Sequence, residues 1–345
     1  MRRRSFLAAP LAAPLASTLQ GSAQGLKLVK PPALKPGDAV SCITPSTFVT
    51  NPESRQQAER IITALGLKPK FGRNTGKRWG YLGGTVEERV ADLHEAFRDP
   101  ETKAVFCVRG GYGAAMLLDK LDYNLFRRHP KILLGYSDIT ALHLAIHQTS
   151  RLVTLHGPTA LDPFNEYTFN LLKRALFEAK PLGELSNPPE KNPLRPLHPV
   201  RTLRGGKASG PLIGGNLTLI STTMGTPWEI QTEGKILFLE DVGEQPYSMD
   251  RMLTQLRLAG KFNGIKGLML GECNDCRPRE FRPAFESTLS LPEVYDHVLA
   301  GLEVPVVSGL AFGHTEDQFP LPLGGHATLD ADRATVTIEE SHLAS

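Results

Sequence analysis

The sequence predicts an α/β protein with two domains: a mainly parallel sheet, then a second domain of mixed helices and strands. Between residues 38 and 180, short β-rich runs alternate with segments of helical apolar spacing, an order typical of a parallel sheet covered by helices on both faces. The 345 residues exceed the roughly 250–300 residues at which a single core stops growing. Six prolines between positions 181 and 199 indicate a stiff connection, because proline fixes φ and lacks the donor that a strand needs.

The elements of the first domain, residues 30–180, each have a local signal. The first predicted helix ends at Gly66, and glycine favours the left-handed conformation that closes a helix. Thr85 and Glu88 form a capping-box pattern at the start of the second. Strands are predicted over 39–44, 104–108, 131–134 and 152–155. Helices are predicted over 52–66, 85–97, 113–121, 139–148 and 167–179.

Residues 181–204 are predicted to form a proline-rich linker, and residues 205–345 a second domain of α+β type with a small β-barrel. Two β-rich runs flank residues 330–333 near the end of the chain, a pattern typical of a hairpin. Strands are predicted over 201–204, 206–212, 235–239, 326–329 and 334–338. Helices are predicted over 217–223 and 248–259.

Residues 1–23 have the form of an export signal. Three arginines at positions 2–4 precede a short apolar run over 7–16, and small residues follow as far as Ala23. Residues 3–7, Arg-Arg-Ser-Phe-Leu, resemble the twin-arginine signal, which directs folded cargo out of the cytoplasm. The lysine that usually follows that motif is absent, so the general secretory route is the alternative. The apolar run is too short to cross a bilayer. The sequence therefore predicts a periplasmic protein without a membrane anchor; a basic N-terminus on a cytoplasmic protein is the alternative.

Composition narrows the classes of partner. The hydrophobic fraction of 41% excludes a disordered chain, and the net charge of +3 does not indicate nucleic acid. Removal of residues 1–23 would leave equal numbers of basic and acidic residues. Four cysteines in so long a chain cannot form a disulfide framework. Cys273 and Cys276 form a single CxxC pair, which does not favour zinc and leaves a loop disulfide open.

The strongest chemical signal is Ser137, in the stretch 135–140 (Gly-Tyr-Ser-Asp-Ile-Thr) between a predicted strand and a predicted helix. A serine at such a turn is raised clear of the sheet, beside the free N–H groups of a helix N-terminus. Those groups can hold an oxyanion next to the attacking oxygen. The usual hydrolase turn has glycine where this chain has Ile139. A serine that only caps the helix is the alternative.

A second turn, Arg109-Gly110-Gly111-Tyr112-Gly113, also joins a predicted strand to a predicted helix. Clustered glycines let the backbone approach a ligand and direct N–H groups at an anion. The turn lacks the residues of a P-loop and the spacing of a dinucleotide fingerprint, so nucleotide binding is only weakly supported. Beside Ser137 in a parallel sheet, it could supply a second oxyanion donor; a simple tight turn is the alternative.

A nucleophilic serine needs a base and an acid that orients the base. Glu240 and Asp241 follow the predicted strand 235–239, and His314 follows an apolar run and Gly313. Carboxyl ends of strands are where α/β sites gather. His143 and His147 are one helical turn apart but lack the metalloprotease glutamate between them, so a packing or surface role is favoured over metal.

Several blocks of the chain together match a known family: 80–82, 87–89, 109–113, 135–140, 239–241, 247–253, 313–314 and 320–324. In these blocks the chain resembles the LD-carboxypeptidases, the muramoyltetrapeptide carboxypeptidases of serine peptidase family S66. The resemblance extends from about residue 34 to residue 338. It implies an N-terminal domain of flavodoxin-like or amidotransferase-like type, a C-terminal domain with a small barrel, a site between them and a homodimer. The implied substrate is a peptidoglycan tetrapeptide or muropeptide, cleaved without a metal or other cofactor.

The resemblance also implies roles for single residues. Ser137 would be the nucleophile, His314 the base and Glu240 the acid, with Glu240 preferred to Asp241 because the family's acid directly follows the strand. The backbone of Asp138 and of Gly110 or Gly111 would form the oxyanion hole.

Arg109 is a candidate to bind the terminal carboxylate of a substrate, since arginine pairs with carboxylates in two-point fashion; a structural role for Arg109 is equally open. Two other functions are kept: a microcin-immunity type of peptidase that cleaves peptide–nucleotide amides, and an exported binding protein without catalysis.

Overall fold

The computed structural model of the chain describes residues 25–190, 192, 194, 196–279 and 288–345. The predicted export signal, residues 1–23, lies outside the described residues. Two sheets make up the fold, and the α/β class predicted from the sequence is confirmed. In the described part of the chain, every helix falls short of the length and apolarity needed to traverse a bilayer.

The first sheet has six strands, of which the five from the first half of the chain run parallel. The sixth, Leu321–Leu323, comes from the other end of the chain and pairs antiparallel with Thr154–His156. From one edge to the other the strands are β12 (Leu321–Leu323), β5 (Thr154–His156), β4 (Ile132–Gly135), β3 (Thr102–Cys107), β1 (Ala39–Ile43) and β2 (Lys68–Phe71).

Helices follow the parallel strands, as predicted. The capping box between Thr85 and Glu88 is present at the start of the second helix, and Asn51 caps the first helix ahead of Pro52. A 3₁₀ helix over Ala114–Lys120 stands where the third helix was predicted. The α-helices of this half are α1 (Pro52–Ala64), α2 (Val86–Arg98), α3 (Tyr123–Arg128), α4 (Thr140–Ser150) and α5 (Glu166–Phe177).

The second sheet has eight strands in an open order. The predicted barrel does not close among the described strands, because the two edge strands of this order do not pair with each other. The long strand Lys207–Asn216 pairs along its first half antiparallel with His326–Asp330 and along its second half parallel with Ile236–Val242. In order across the sheet, the strands are β6 (Gly183–Leu185), β14 (Thr335–Ile338), β13 (His326–Asp330), β8 (Lys207–Asn216), β9 (Ile236–Val242), β10 (Gly267–Asn274), β11 (Val306–Gly313) and β7 (Arg201–Arg204). The helices here are α6 (Leu217–Thr222), α7 (Pro246–Leu258) and α8 (Leu291–Val298).

The two sheets are joined by direct contacts. The N–H of Asn216, at the end of β8, donates to Thr140 Oγ1 at the start of α4 over 2.9 Å. Gly215 has a φ of +140°, and a Cβ there would lie 2.5 Å from Thr140 Oγ1. The carboxyl end of β8 is thereby held against the start of α4, shortly after β4. Within the second half of the chain, Asn187 of the predicted linker bonds the backbone of Gly309 and Ala311 in β11 over 2.7 Å each.

The bond across this junction predicts a stability effect. Thr140→Val keeps the shape of the side chain but leaves the buried N–H of Asn216 without its acceptor, which costs about 1–3 kcal/mol. We therefore expect a lower free energy of unfolding in urea, followed by circular dichroism. Thr222→Val is the matched control, since the Thr222 hydroxyl is exposed and bonds only within α6. Equal losses in the two variants would contradict this role for Thr140.

Candidate active site

Ser137 lies on a strained turn between β4 and α4. Its φ is +61°, a left-handed conformation that costs a non-glycine residue about 1–3 kcal/mol. Gly135 makes the turn possible, since a Cβ there would lie 3.0 Å from the side chain of Ile139. Ser137 begins a short 3₁₀ helix, Ser137–Ile139, that leads into α4, and the side chain of Ser137 is partly exposed. The predicted placement of the serine between strand and helix is therefore observed, with strain of the kind that presents a functional side chain.

The glycine turn after β3 packs against this serine. A Cβ on Gly110 would lie 3.1 Å from Ser137 Cβ and 3.3 Å from Ser137 Oγ, so only glycine leaves the space around the hydroxyl open. Gly111 has a φ of +114° and would overlap Thr47 if it carried a Cβ. Thr47 Oγ1 accepts the N–H of Tyr112 over 3.1 Å. The two predicted turns are thus adjacent, which is the arrangement that two backbone oxyanion donors require.

The side chain of Asp138 connects the serine turn to the residue that follows the glycine turn. Its carboxylate is buried and accepts the N–H of Ala114 over 2.8 Å. Burial raises the pKa of Asp138, and backbone hydrogen bonds from Ala114 and Gly113 oppose that rise. The buried guanidinium of Arg89 donates to the carbonyls of Gly113 and Pro45, each over 2.8 Å. Sequence reasoning considered only the backbone of Asp138 and assigned no role to Arg89, because both contacts join segments far apart in the chain.

His314 and Glu240 meet at the carboxyl end of the second sheet. His314 Nδ1 lies 2.6 Å from Glu240 Oε2, with the histidine side chain 17% exposed and the glutamate fully buried. Gly313 permits this approach: its φ is +88°, and a Cβ there would lie 2.6 Å from Glu240 Cβ and Oε2. A carboxylate can only accept, so Nδ1 carries a proton and Nε2 of the neutral ring keeps its lone pair. That lone pair is what a general base needs.

The electrostatics of His314 reflect its partner. Burial lowers the pKa of His314, but the charge and hydrogen bond of Glu240 raise it by more, with further help from Asp241 and Asp162. The net pKa lies above the ordinary value of about 6.5. The imidazolium that forms when the ring accepts a proton is therefore stabilised by a buried carboxylate.

Tyr136 links the serine turn to the histidine. The ring centroids of Tyr136 and His314 are 4.7 Å apart, and the Tyr136 hydroxyl donates to Asp162 Oδ1 over 3.0 Å. Asp162 is fixed in turn by the N–H and hydroxyl of Thr159 over 2.6 and 2.8 Å. One strand end therefore carries both Ser137 and the ring against which His314 packs. Sequence reasoning missed Tyr136 and Asp162, although Tyr136 stands directly before the serine.

Two further residues were candidates from the sequence, Asp241 and Arg109. Asp241 accepts from Asn216 Nδ2 over 3.2 Å and from both the N–H and hydroxyl of Thr218 over 2.9 Å, so it holds the start of α6 and not the histidine. Burial and the charge of Glu240 raise the pKa of Asp241 to about 6. Arg109 is exposed beside Gly110. Its role stays a prediction.

The two histidines of α4 are core residues. His143 Nε2 lies 2.7 Å from the carbonyl of Gly135, and His147 Nδ1 lies 3.0 Å from the carbonyl of Leu152. Among the described residues, no cluster of His, Cys, Asp or Glu is arranged to hold a metal ion. Cys273 and Cys276 are free thiols.

Known proteins match both halves of the chain. A model of the LD-carboxypeptidase N-terminal domain matches residues 40–157, and a model of the C-terminal domain matches residues 209–329. The probable murein peptide carboxypeptidase of Bacillus subtilis is 39% identical over 310 residues, 90% of this chain and 94% of that protein. The murein tetrapeptide carboxypeptidase of Pseudomonas aeruginosa is 34% identical over 308 residues, 85% of this chain and 94% of that protein.

Similarity extends to solved structures. The crystal structure of an MccF-like protein from Bacillus anthracis matches with a TM-score of 0.78 and 30% identity, over 90% of this chain and 99% of that one. Both domain models match in order along one chain, and the relatives match over nearly their whole length. The chain is therefore a peptidase that belongs to the LD-carboxypeptidase family, S66.

Proposed function

We propose that the protein is a serine LD-carboxypeptidase that removes the terminal D-Ala from peptidoglycan tetrapeptides, at the bond after the diamino acid. The observation that carries the proposal is the buried Glu240–His314 hydrogen bond of 2.6 Å beside the strained turn of Ser137. The family supports it, and so do the relatives from Bacillus subtilis and Pseudomonas aeruginosa, which are named for murein peptides.

The proposed chemistry uses protein groups and water. His314 Nε2 takes the hydroxyl proton of Ser137 as Oγ attacks the scissile carbonyl. The backbone N–H of Asp138 and one from Gly110 or Gly111 hold the oxyanion. Collapse of the tetrahedral intermediate breaks the C–N bond, and the imidazolium gives its proton to the leaving D-Ala. Water, deprotonated by the same ring, then hydrolyses the acyl-enzyme and restores the serine. Glu240 stabilises the imidazolium in both halves of the reaction.

Three finer features belong to the same proposal. Arg109, exposed beside Gly110, would pair with the terminal carboxylate of the substrate. The enzyme would act as a homodimer. It would be exported to the periplasm by the signal at residues 1–23, where it would meet the wall or its released fragments.

A second candidate function comes from the structural match. The MccF-like protein of Bacillus anthracis has a TM-score of 0.78 to this chain, and a microcin-immunity type of peptidase would use the same three residues on a peptide–nucleotide amide. Parallel digests of a murein tetrapeptide and an aminoacyl sulfamoyl adenosine, followed by mass spectrometry, separate the two. Selective loss of D-Ala supports the carboxypeptidase, and selective cleavage of the nucleotide amide supports the alternative.

Removal of the nucleophile tests the proposal directly. We expect Ser137→Ala to lower kcat for release of D-Ala from a tetrapeptide by at least about 10³-fold, as loss of a triad serine does elsewhere. Mass spectrometry of timed digests measures the tripeptide product. Ser221→Ala is the control, since that exposed hydroxyl donates to Gln255 of α7. Tetrapeptide trimming that survives in Ser137→Ala would exclude Ser137 as nucleophile. Tight tetrapeptide binding without turnover by the unmodified protein would indicate a binding protein instead.

The charge of Glu240 predicts a shift in pH dependence. The neutral ring of His314 is the active form, and Glu240 raises the pKa of that ring. Glu240→Gln should therefore move the acidic limb of kcat/KM to lower pH while lowering its maximum by about 10³–10⁴-fold, by analogy with the orienting acid of other triads. Because the three residues act as a unit, Ser137→Ala combined with Glu240→Gln should be no slower than Ser137→Ala alone. An unshifted acidic limb in Glu240→Gln would argue against this pairing.

The space above Ser137 predicts a selective defect. Gly110→Ala places a Cβ 3.1 Å from Ser137 Cβ, so we expect kcat to fall at least tenfold while the melting temperature changes little. Gly301→Ala is the matched control, because a Cβ there would meet nothing within 4 Å. Steady-state kinetics and thermal melts of the two variants provide the check. Full activity in Gly110→Ala would mean that the hydroxyl tolerates a methyl neighbour and that this glycine has no catalytic importance.

A further inference from the structure

Another buried histidine contacts the turn that follows the proposed base. His198, with 1% of its side chain exposed, lies between two carboxylates. Its Nδ1 makes a short hydrogen bond to Glu272 Oε1, and its Nε2 lies 2.9 Å from Asp317 Oδ2. A neutral imidazole has one N–H and one lone pair, so it can satisfy only one of two ionised carboxylates. The geometry is therefore that of an imidazolium that donates to both sides.

Both carboxylates belong to the surroundings of His314. Asp317 stands three residues after it, and Glu272 pairs with Gly313 between β10 and β11. Asn165 holds the same turn from α5, by donating to Asp317 Oδ1 over 2.5 Å and to the carbonyl of Glu316 over 3.1 Å. The histidine therefore connects β10, which pairs with the strand that leads into the turn of His314, to the end of that turn.

We propose that His198 is a positioning residue: as a cation it holds Asp317, near the end of the turn 313–319, to Glu272 of β10. This clamp fixes the turn and so fixes the His314 ring for proton transfer. This rests on the proposed function, in which His314 is the general base. Loss of the proton from His198 leaves one carboxylate facing a lone pair and removes the positive charge between two negative groups. The turn then loses one of the contacts that fix its far end, and catalysis falls without loss of the binding surface.

Three acidic residues from different segments of the chain contact His198. Glu190 Oε1 accepts the backbone N–H of His198 over 2.8 Å, Glu272 approaches from β10 and Asp317 from the turn. Tyr167 of α5 lies near Asp317, and the charge of Asp317 acts on its hydroxyl. Burial opposes the positive charge of the ring, and the carboxylates of Glu272 and Asp317 favour it.

The protonation of His198 extends into the alkaline range. Burial alone would lower the pKa of His198, but the hydrogen bonds and charges of Glu272 and Asp317 raise it to about 9. The stabilising contribution of the cation is complete below the ordinary pKa of about 6.5 and is lost as the pH rises through about 9. The proposed clamp is thus engaged at neutral pH and released in alkali.

Kinetics of two variants test the clamp. We expect kcat of the unmodified enzyme to fall near pH 9, and Asp317→Asn to move that alkaline limb to lower pH, because one of the two carboxylates that raise the pKa is neutralised. In His198→Gln we expect kcat at pH 7 to fall at least tenfold while KM changes less than threefold. His342→Gln is the matched control: that ring is also buried, but it bonds the carbonyl of Ala175 on α5 over 2.8 Å. Its pH profile should be that of the unmodified enzyme.

A titration without substrate separates this inference from the proposed function. In ¹³C-labelled protein, the ring signal of His198, assigned by its absence in His198→Gln, should titrate near pH 9 and at lower pH in Asp317→Asn. A His198 signal that titrates at or below pH 6.5 would overturn the clamp, as would an alkaline limb of kcat that is the same in Asp317→Asn. Failure to hydrolyse tetrapeptides with the ring titrating near pH 9 would instead contradict the proposed function and leave the cation in place.

Discussion

The hydrogen bond between Glu240 and His314 is the constraint on which the candidate site depends. Glu240 is fully buried, and an ionised carboxylate in that position is tolerated only when partners compensate its charge. Its other oxygen, Oε1, has no hydrogen-bond partner among the described residues, so the bond to His314 is the main compensation. The pair therefore works in both directions: the ring stabilises the acid, and the acid holds the ring ready to accept a proton.

Glycines make this constraint geometrically possible. Gly313 lets the chain pass against Glu240, and Gly110 leaves room beside Ser137. At both positions the absent Cβ is what allows backbone and side chain to come within contact distance. The strained φ of Ser137 completes the arrangement. Contacts of Asp138 and Arg89 with the residues after the glycine turn offset the free energy of this strain.

Much of the framework was predictable from the sequence because its signals are local. Capping residues, apolar spacing and strand-to-helix turns indicated the α/β class, which is confirmed. Separately, short sequence blocks along the chain resembled the LD-carboxypeptidases, and the family match confirms that resemblance. The roles of Ser137, Glu240 and His314 stay predictions, although the structure places the last two in direct contact.

Other features depend on contacts between distant segments and had no local signal. Strand β2 is the polar edge run Lys68–Phe71, and β12 is Leu-Pro-Leu, so neither has the alternation of a buried strand. Strand β10 and helix α8 were also missed, although both have local signals: β10 begins with a buried apolar run, and Ser290 and Glu293 form a capping box at the start of α8. His198 lies among prolines, and its partners are 74 and 119 residues away in the chain. No spacing rule connects residues at such separations.

The return of the chain through β12 has a consequence for when activity arises. The strand that pairs with β5 lies only seven residues beyond His314, and residues of the last hairpin pair with β8 and β6. During synthesis the serine turn is complete long before the ribosome reaches the histidine. For most of synthesis the proposed nucleophile is therefore present without the proposed base. Under the proposed mechanism, hydrolysis becomes possible only when the last segments of the polypeptide have been made and paired.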